Sequence, residues 1–195
     1  MAFIRTKTIK GKEYAYLVKN KWTRKGPRQS GSKYLGPVTK VIEPVEHELE
    51  RFDSFDEYVL DRHKTELEDF FDKAEPKVIL NEIIAYDLKL LGFKDYFGKK
   101  GSKKDSLILG DCVVDLNNLK VTSLSDGKPC VISMNGDFFC DYTVRKIYNF
   151  LEFGNELDIA KKLAKTFISA GIPIEDRIFV LFFKRNFKDG KLKIG

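Results

Sequence analysis

The chain contains few of the residues that reactive and metal-binding sites need. Its 195 residues include three cysteines, two histidines and one tryptophan. Cys112, Cys130 and Cys140 are odd in number and lack the short paired spacing of a metal site. They lie in apolar stretches, so we expect three buried, reduced thiols, which are typical of an intracellular protein.

The histidines also lack partners at the spacing of a known catalytic or metal motif. His47 and His63 both lie in an acidic segment. We expect His63 on the exposed face of a helix. A metal site with Glu66 or Asp69 is the alternative.

Long apolar runs and phosphate-binding motifs are missing too. No stretch approaches the ~20 apolar residues of a membrane-spanning helix, and the amino end lacks the apolar core of a secretory signal. Residues 98–104 contain glycine and lysine, but not at the spacing of a phosphate loop. We therefore expect a soluble, cytoplasmic protein without membrane association, cofactor or metal.

Charge is distributed in blocks along the chain. Residues 1–40 hold eleven lysines and arginines against a single acid, Glu13. Residues 41–75 hold thirteen acids and four bases. The acidic block could fold back and mask the basic one, or it could form a solvated helix; the second is the simpler interpretation.

The basic block has the pattern of a β-meander. Residues 3–9, 13–22 and 28–35 are rich in β-formers and alternate in polarity. Gly11 and residues 23–27 supply the turns, and Gly36-Pro37 is expected to close the third strand. About forty residues seldom hold a stable core alone, so the module should pack on the rest of the chain or on a second copy in a homodimer.

The remaining residues predict helices and hairpins. Ser54 and Glu57 form a capping box that predicts a helix over 54–72. Further helices are expected over 78–91, 142–151, 155–170 and 175–186, and strands over 106–115, 119–123 and 129–134. The predicted fold class is α+β: a small basic three-stranded antiparallel β-module (1–40), an acidic connector and helix (41–75), and a mixed helical and β-hairpin domain with C-terminal helices (76–195).

A rigid basic surface of this kind suggests a polyanionic partner. The aromatic side chains Tyr14, Tyr16, Trp22 and Tyr34 could pack the module or stack on bases; their shared face with Val18 favours packing, and Trp22 is the best candidate for stacking. The predicted nucleic-acid-binding residues are Arg5, Lys7, Lys10, Lys12, Lys19, Lys21, Trp22, Arg24, Lys25, Arg28 and Lys33.

The runs from Phe3 to Val18, Gly26-Pro27-Arg28-Gln29 and Lys33-Tyr34-Leu35-Gly36 carry a resemblance. They resemble the N-terminal β-module of DDE-type insertion-element transposases, and they are similar to the start of uncharacterised archaeal proteins. In transposases such a module precedes the catalytic domain and helps to hold DNA. The resemblance therefore implies contact with nucleic acid, whereas the rest of the chain is too short for the catalytic domain.

Three functions are compatible with these observations. The first is a non-catalytic protein that contacts the phosphate backbone of DNA or structured RNA. The second is a ribosome-associated or other protein-interaction adaptor. The third is a metal-dependent nuclease with acids drawn from Asp111, Asp115, Asp137 and Asp141, although turns and helix caps explain most of these residues equally well.

Overall fold

The computed structural model describes residues 2–24, 26–41, 52–97 and 106–194. Lys25, His47 and the basic stretch 99–105 lie outside these ranges, as does most of the predicted connector before Phe52. The described residues form an α+β fold, which confirms the predicted class. The helices are α1 (Phe55–His63), α2 (Leu67–Lys73), α3 (Pro76–Leu90), α4 (Asp141–Tyr148), α5 (Glu156–Ile168) and α6 (Asp176–Asn186).

The strands belong to three sheets. The first has the order β1 (Ala2–Ile9), β2 (Lys12–Thr23), β3 (Gly26–Lys40), β8 (Val131–Met134) and β9 (Asp137–Phe139). The second has the order β4 (Lys94–Asp95), β5 (Ser106–Leu109), β6 (Cys112–Asp115) and β7 (Lys120–Ser123). The third joins β10 (Leu151–Phe153), β12 (Lys191–Lys193) and β11 (Phe187–Lys188).

The predicted antiparallel meander is therefore part of a larger sheet. β3 does not stop at Gly36-Pro37 as expected but continues to Lys40, and Val38 to Lys40 pair in parallel with β8. The strand can pass through Pro37, which lacks an N–H, because a β-bulge precedes it: Ala15 pairs with Gly36, whereas Tyr16 pairs with Tyr34.

The module packs on the body through one face. Ala15, Val131 and Cys140 are buried together, and Ile4 and Leu35 pack against them. On the opposite face Val18 is buried, whereas Tyr34 is 51% exposed. Tyr14 is half-buried and lines a cleft of the body together with Tyr34. The aromatic face therefore packs in part, through Val18 and through contacts among the tyrosine rings, such as Tyr16 and Tyr34 at 5.5 Å between centres. The closest approach to the body is made on the other face, where Ala15 pairs with Gly36.

One sequence-based helix in this region is also wrong in its extent. The helix expected over 54–72 is broken, because Lys64 takes a left-handed conformation (φ 55°) and ends α1. The break lets Tyr58 of α1 and Phe70 of α2 both reach the core. The Ser54 cap is confirmed: its hydroxyl oxygen accepts a hydrogen bond from the Glu57 N–H at 3.2 Å.

Three further differences lie in the carboxyl-terminal half. The strand expected over 106–115 is a hairpin, β5 and β6, that turns at Gly110 (φ 55°). The helix expected over 142–151 is α4, which begins at Asp141 and ends at Tyr148; its N-cap is Cys140, whose N–H donates to the Thr143 hydroxyl. The third sheet was not expected, since its strands are only two or three residues long.

The sulfur atoms confirm the prediction of buried thiols. Cys112, Cys130 and Cys140 are all buried and free. Two of them, far apart in sequence, are neighbours in space, with the Cys130 and Cys112 sulfurs 3.7 Å apart.

Gly36 provides a direct test of how the module docks. Its φ is 142°, and a Cβ built on it would lie 2.3 Å from the Pro129 carbonyl oxygen. Gly36→Ala should therefore lower the free energy of unfolding by at least about 2 kcal/mol. The matched control is Gly31→Ala on the same strand, where a Cβ would meet nothing within 4 Å, and it should change stability by less than about 1 kcal/mol. Urea unfolding of both variants measures the difference, and equal stabilities would contradict this docking geometry.

Candidate nucleic-acid interface

Beyond the body, β2 and β3 continue as a two-stranded ribbon, here called the arm (residues 19–31, Lys25 not described). Its strands pair from Lys19↔Gly31 to Thr23↔Gly26. Apart from Asn20 and Gly26, every described residue from Lys19 to Tyr34 is exposed. At about 3.3 Å per residue, the four steps from Lys19 to Thr23 extend about 13 Å.

The arm has local hydrogen bonds but little apolar support. The Ser30 hydroxyl donates to the Lys19 carbonyl oxygen at 3.1 Å, and the Thr23 hydroxyl donates to the Gly26 carbonyl oxygen at 2.8 Å. A register shift between Lys19 and Asn20 makes Ser30 an extra residue on β3. Such bulges increase the twist of a ribbon. The arm is therefore held by its backbone ladder and turn, and its side chains are left to solvent.

The predicted cations do not form one surface. Side chains alternate between the two faces of a strand, and paired residues share a face. Leu17 pairs with Lys33 and Lys21 pairs with Arg28, so these cations lie on the inner face, the one that packs on the body nearer the base of the arm. The inner-face set is Lys19, Lys21, Arg28 and Lys33, here called the arm stripe.

Other cations lie on the opposite, outer face with the tyrosines. Arg5 pairs with Tyr16, and Lys7 pairs with Tyr14. The Lys7 ammonium lies 5.6 Å from the centre of the Tyr16 ring, a cation–π distance. Lys12 also belongs to this face, across from Ile9. The strand pairing therefore places Arg5, Lys7 and Lys12 on one face, opposite to the face of the arm stripe.

The remaining predicted residues lie in turns or alone. Lys10 lies in the turn between β1 and β2, and Arg24 lies at the tip of the arm. Trp22 is opposite Pro27 on the outer face of the arm and is 83% exposed. Its ring is available for stacking on an unpaired base.

The cations of both faces are electrostatically available. Among the described residues of the module, an ion pair joins Lys40 Nζ to Glu13 Oε2 at 3.3 Å, and neither residue belongs to the arm. Hydrogen bonds from Thr6 and Lys40 hold the pKa of Glu13 below its usual value. No described carboxylate lies within 4 Å of an arm-stripe nitrogen. The positive field of the arm is thus unneutralised by the described part of the chain.

Acids of the connector make other partners. Asp56 and Glu68 both bind Arg177 of α6, at 3.0 and 2.9 Å. Asp69 binds Lys73 within α2. Among residues 52–75, then, these acids support the helical body, whereas the acids at 43–50 lie outside the described residues.

Sequence reasoning missed two cations that extend the arm stripe. Arg145 and Lys146 of α4 line a cleft of about 440 Å³ together with Lys33. Asp141 also lines it and lies 3.9 Å from the Arg145 guanidinium. The basic last turn of α4 was visible in the sequence, but its position beside β3 depends on long-range packing. Lys33, the arm-stripe residue nearest the body, and the last turn of α4 together therefore line a concave, mostly basic cleft.

The candidate nuclease acids have structural partners. Asp111 accepts hydrogen bonds from the Ser123 hydroxyl and the Ser125 N–H, and the Ser123 bond is the main cause of its lowered pKa. Asp115 accepts from Asn118, and Asp141 accepts from the Val121 N–H at 2.7 Å. Among the described residues no group of three potential ligands is close enough to hold a metal ion.

His63 is not on an exposed face, contrary to expectation. Its ring packs on Phe70, and Nε2 lies 3.0 Å from Glu82 Oε1, in an alignment unsuited to a hydrogen bond. Glu82 is buried and also accepts a hydrogen bond from the Tyr58 hydroxyl at 2.6 Å. Burial, followed by the Glu82 charge, raises the pKa of Tyr58. This cluster ties α1 to α3.

Comparison of the chain with protein-family models, with curated proteins and with solved structures gave no significant match. In the described residues, no helix combines the length and the apolar character needed to cross a membrane.

The exposure of the arm can be tested through Trp22, the chain's single tryptophan. With 83% of its surface exposed, its fluorescence should be quenched by acrylamide almost as efficiently in the native protein as in urea. Native quenching several times weaker than in urea would show that the arm is covered. Trp22→Phe, which removes the signal, identifies the background.

Proposed function

We propose that this protein binds nucleic acid, without acting on it chemically, by placing the arm stripe and the basic end of α4 against a phosphate backbone. One observation carries the proposal: an exposed ribbon turns Lys19, Lys21, Arg28 and Lys33 to one side, and no described carboxylate neutralises them. Lysine and arginine on such a surface bind phosphates and release counterions.

The shape of the surface favours a duplex. Lys33, which continues the inner face of the arm toward the body, meets the end of α4 at one cleft. A concave corner can follow a rounded duplex backbone, whereas single strands are usually held by aromatic platforms in a basic groove. Trp22, on the other face, would then be free of the duplex or would contact a neighbouring unpaired base.

The contacts are expected to position the protein, not to read sequence. Phosphate contacts carry no sequence information directly. A two-stranded ribbon also fits the major groove of B-form DNA, about 12 Å wide, whereas the A-form major groove is too narrow for side chains to read. Duplex DNA is therefore the preferred ligand, and structured RNA is the comparison.

The proposal includes a cytoplasmic location, where free thiols such as Cys112 and Cys140 persist.

The salt dependence of binding tests this assignment. If the arm stripe, Arg145 and Lys146 contact up to about six phosphates, log K should fall with log salt with a slope of about −5. The triple change Lys21, Arg28 and Lys33 to Ala should make the slope shallower by about 2.7, at about 0.9 per contact. Fluorescence anisotropy with labelled duplex DNA and hairpin RNA, over a salt series, gives both slopes.

A matched control lies in the same module. Changing Arg5, Lys7 and Lys12 to Ala removes the same charge from the outer face, and it should leave the slope nearly unchanged. If only this control made the slope shallower, the nucleic-acid interface would be the outer face, which carries the tyrosines, and not the arm stripe. Absence of salt-dependent binding to either nucleic acid would refute the proposal and favour the protein-adaptor alternative.

A further inference from the structure

A cavity of about 390 Å³ lies between α3 and the start of α6, on the helical body. Its walls are mainly apolar and include Phe55 of α1, Ile83 of α3 and Ile178 of α6. This size falls in the range of small-molecule sites, which are apolar with a few placed polar groups. The polar groups here are therefore the part of the cavity that would select a ligand.

Asp87 is the central polar group. It lines the cavity, is only 9% exposed, and its Oδ2 has no hydrogen-bond partner among the described residues. Burial raises the pKa of its carboxyl well above the usual value. Buried polar atoms nearly always have a partner, and an unpaired one costs about 1–3 kcal/mol. Oδ2 itself is closed to solvent in this conformation. A ligand donor would therefore remove this cost once the carboxyl group rotates to turn an oxygen toward the cavity.

The other polar groups make the cavity electronegative. Glu175, the residue before α6, lines it, and its side chain is not used to cap that helix. Tyr86 is the third polar side chain, and its pKa is raised by burial first and then by the charges of Asp87, Glu175, Asp53 and Asp56. Of these, Asp56 is paired with Arg177. No lysine, arginine or histidine is among the described lining residues.

We propose that this cavity binds a small organic amine, with the ammonium group donating to Asp87 and a hydrocarbon or aromatic body lying against Phe55, Ile83 and Ile178. An ammonium ion supplies several donors and a positive charge, which suits two carboxyl groups with no described cation. The apolar walls exclude a bare metal ion, which would need several oxygen ligands. The aromatic ring of Phe55 suits an apolar body next to a cation.

Binding should be coupled to proton release. In the empty cavity the raised pKa favours the protonated carboxyl, whereas an ammonium ion favours the ionised form. At any pH where the carboxyl of the empty site is protonated, binding therefore releases up to one proton from Asp87, and affinity rises with pH until that carboxyl is ionised in the empty site. The other titratable groups that face Asp87 are Tyr86 of its own helix and Glu175 from the segment before α6.

The test compares phenethylammonium with 2-phenylethanol, which has similar size but no charge, by titration calorimetry on the full chain. We expect the amine to bind the wild-type protein at least tenfold more tightly than the alcohol. Asp87→Asn should abolish this preference and leave the affinity for the alcohol unchanged. Titrations in two buffers of different ionisation enthalpy report the released proton.

The control is Asp158→Asn on the exposed face of α5, which removes the same charge away from the cavity and should keep the preference. A thermal melt checks that Asp87→Asn is folded; replacing an unpaired buried carboxyl should not lower its melting temperature. Equal affinities for amine and alcohol in the wild type, an unchanged amine preference in Asp87→Asn, or no binding by amines from propylammonium to phenylpropylammonium would each overturn the proposal. None of these outcomes tests the proposed binding of nucleic acid by the arm, so the two proposals can fail independently.

Discussion

The close approach of β3 to the segment before β8 determines how every cation of the module is displayed. At Gly36 the two backbones come so near that a Cβ would lie 2.8 Å from the Cα of Cys130, and two residues later, from Val38, the strands pair in parallel. This contact commits the face of Ala15 and Leu17 to the body. Because side chains alternate along β2, it also places the tyrosines on the opposite face. The same alternation puts Lys21 and Arg28 on the face of Lys33, which lines the cleft beside α4.

Local features of this chain could be predicted from sequence because their causes are local. Gly11 marks the first hairpin turn, Ser54 caps α1 through Glu57, and Asn155 caps α5. The break at Lys64 could not be predicted in the same way. A left-handed lysine is locally unfavourable, and it occurs because two short helices bury Tyr58 and Phe70 better than one straight helix would.

The candidate interface could be predicted only in part, because it too depends on long-range packing as well as on local sequence. Alternation alone places Lys19 and Lys21 on one face and Tyr14 and Tyr16 on the other. Both faces carry apolar residues, however, and the choice of buried face depends on β8, more than ninety residues away in sequence. The position of Arg145 beside Lys33 and that of Asp87 in the cavity depend on such long-range contacts as well. In the sequence Asp87 looks like any exposed acid of a helix. Its apolar environment arises from the packing of α6 on α3, which sequence patterns do not show.

The arm itself conflicts with ordinary rules of sheet stability, and that conflict is informative. Lys21 and Arg28 are directly opposite each other on the same face, an arrangement in which like charges repel. No described acid relieves the repulsion, and the apolar Trp22 remains in water. Residues that violate local preferences without internal compensation tend to mark functional sites. A phosphate placed between Lys21 and Arg28 would turn the repulsion into two attractions, so the unbound arm carries a cost that a polyanion removes.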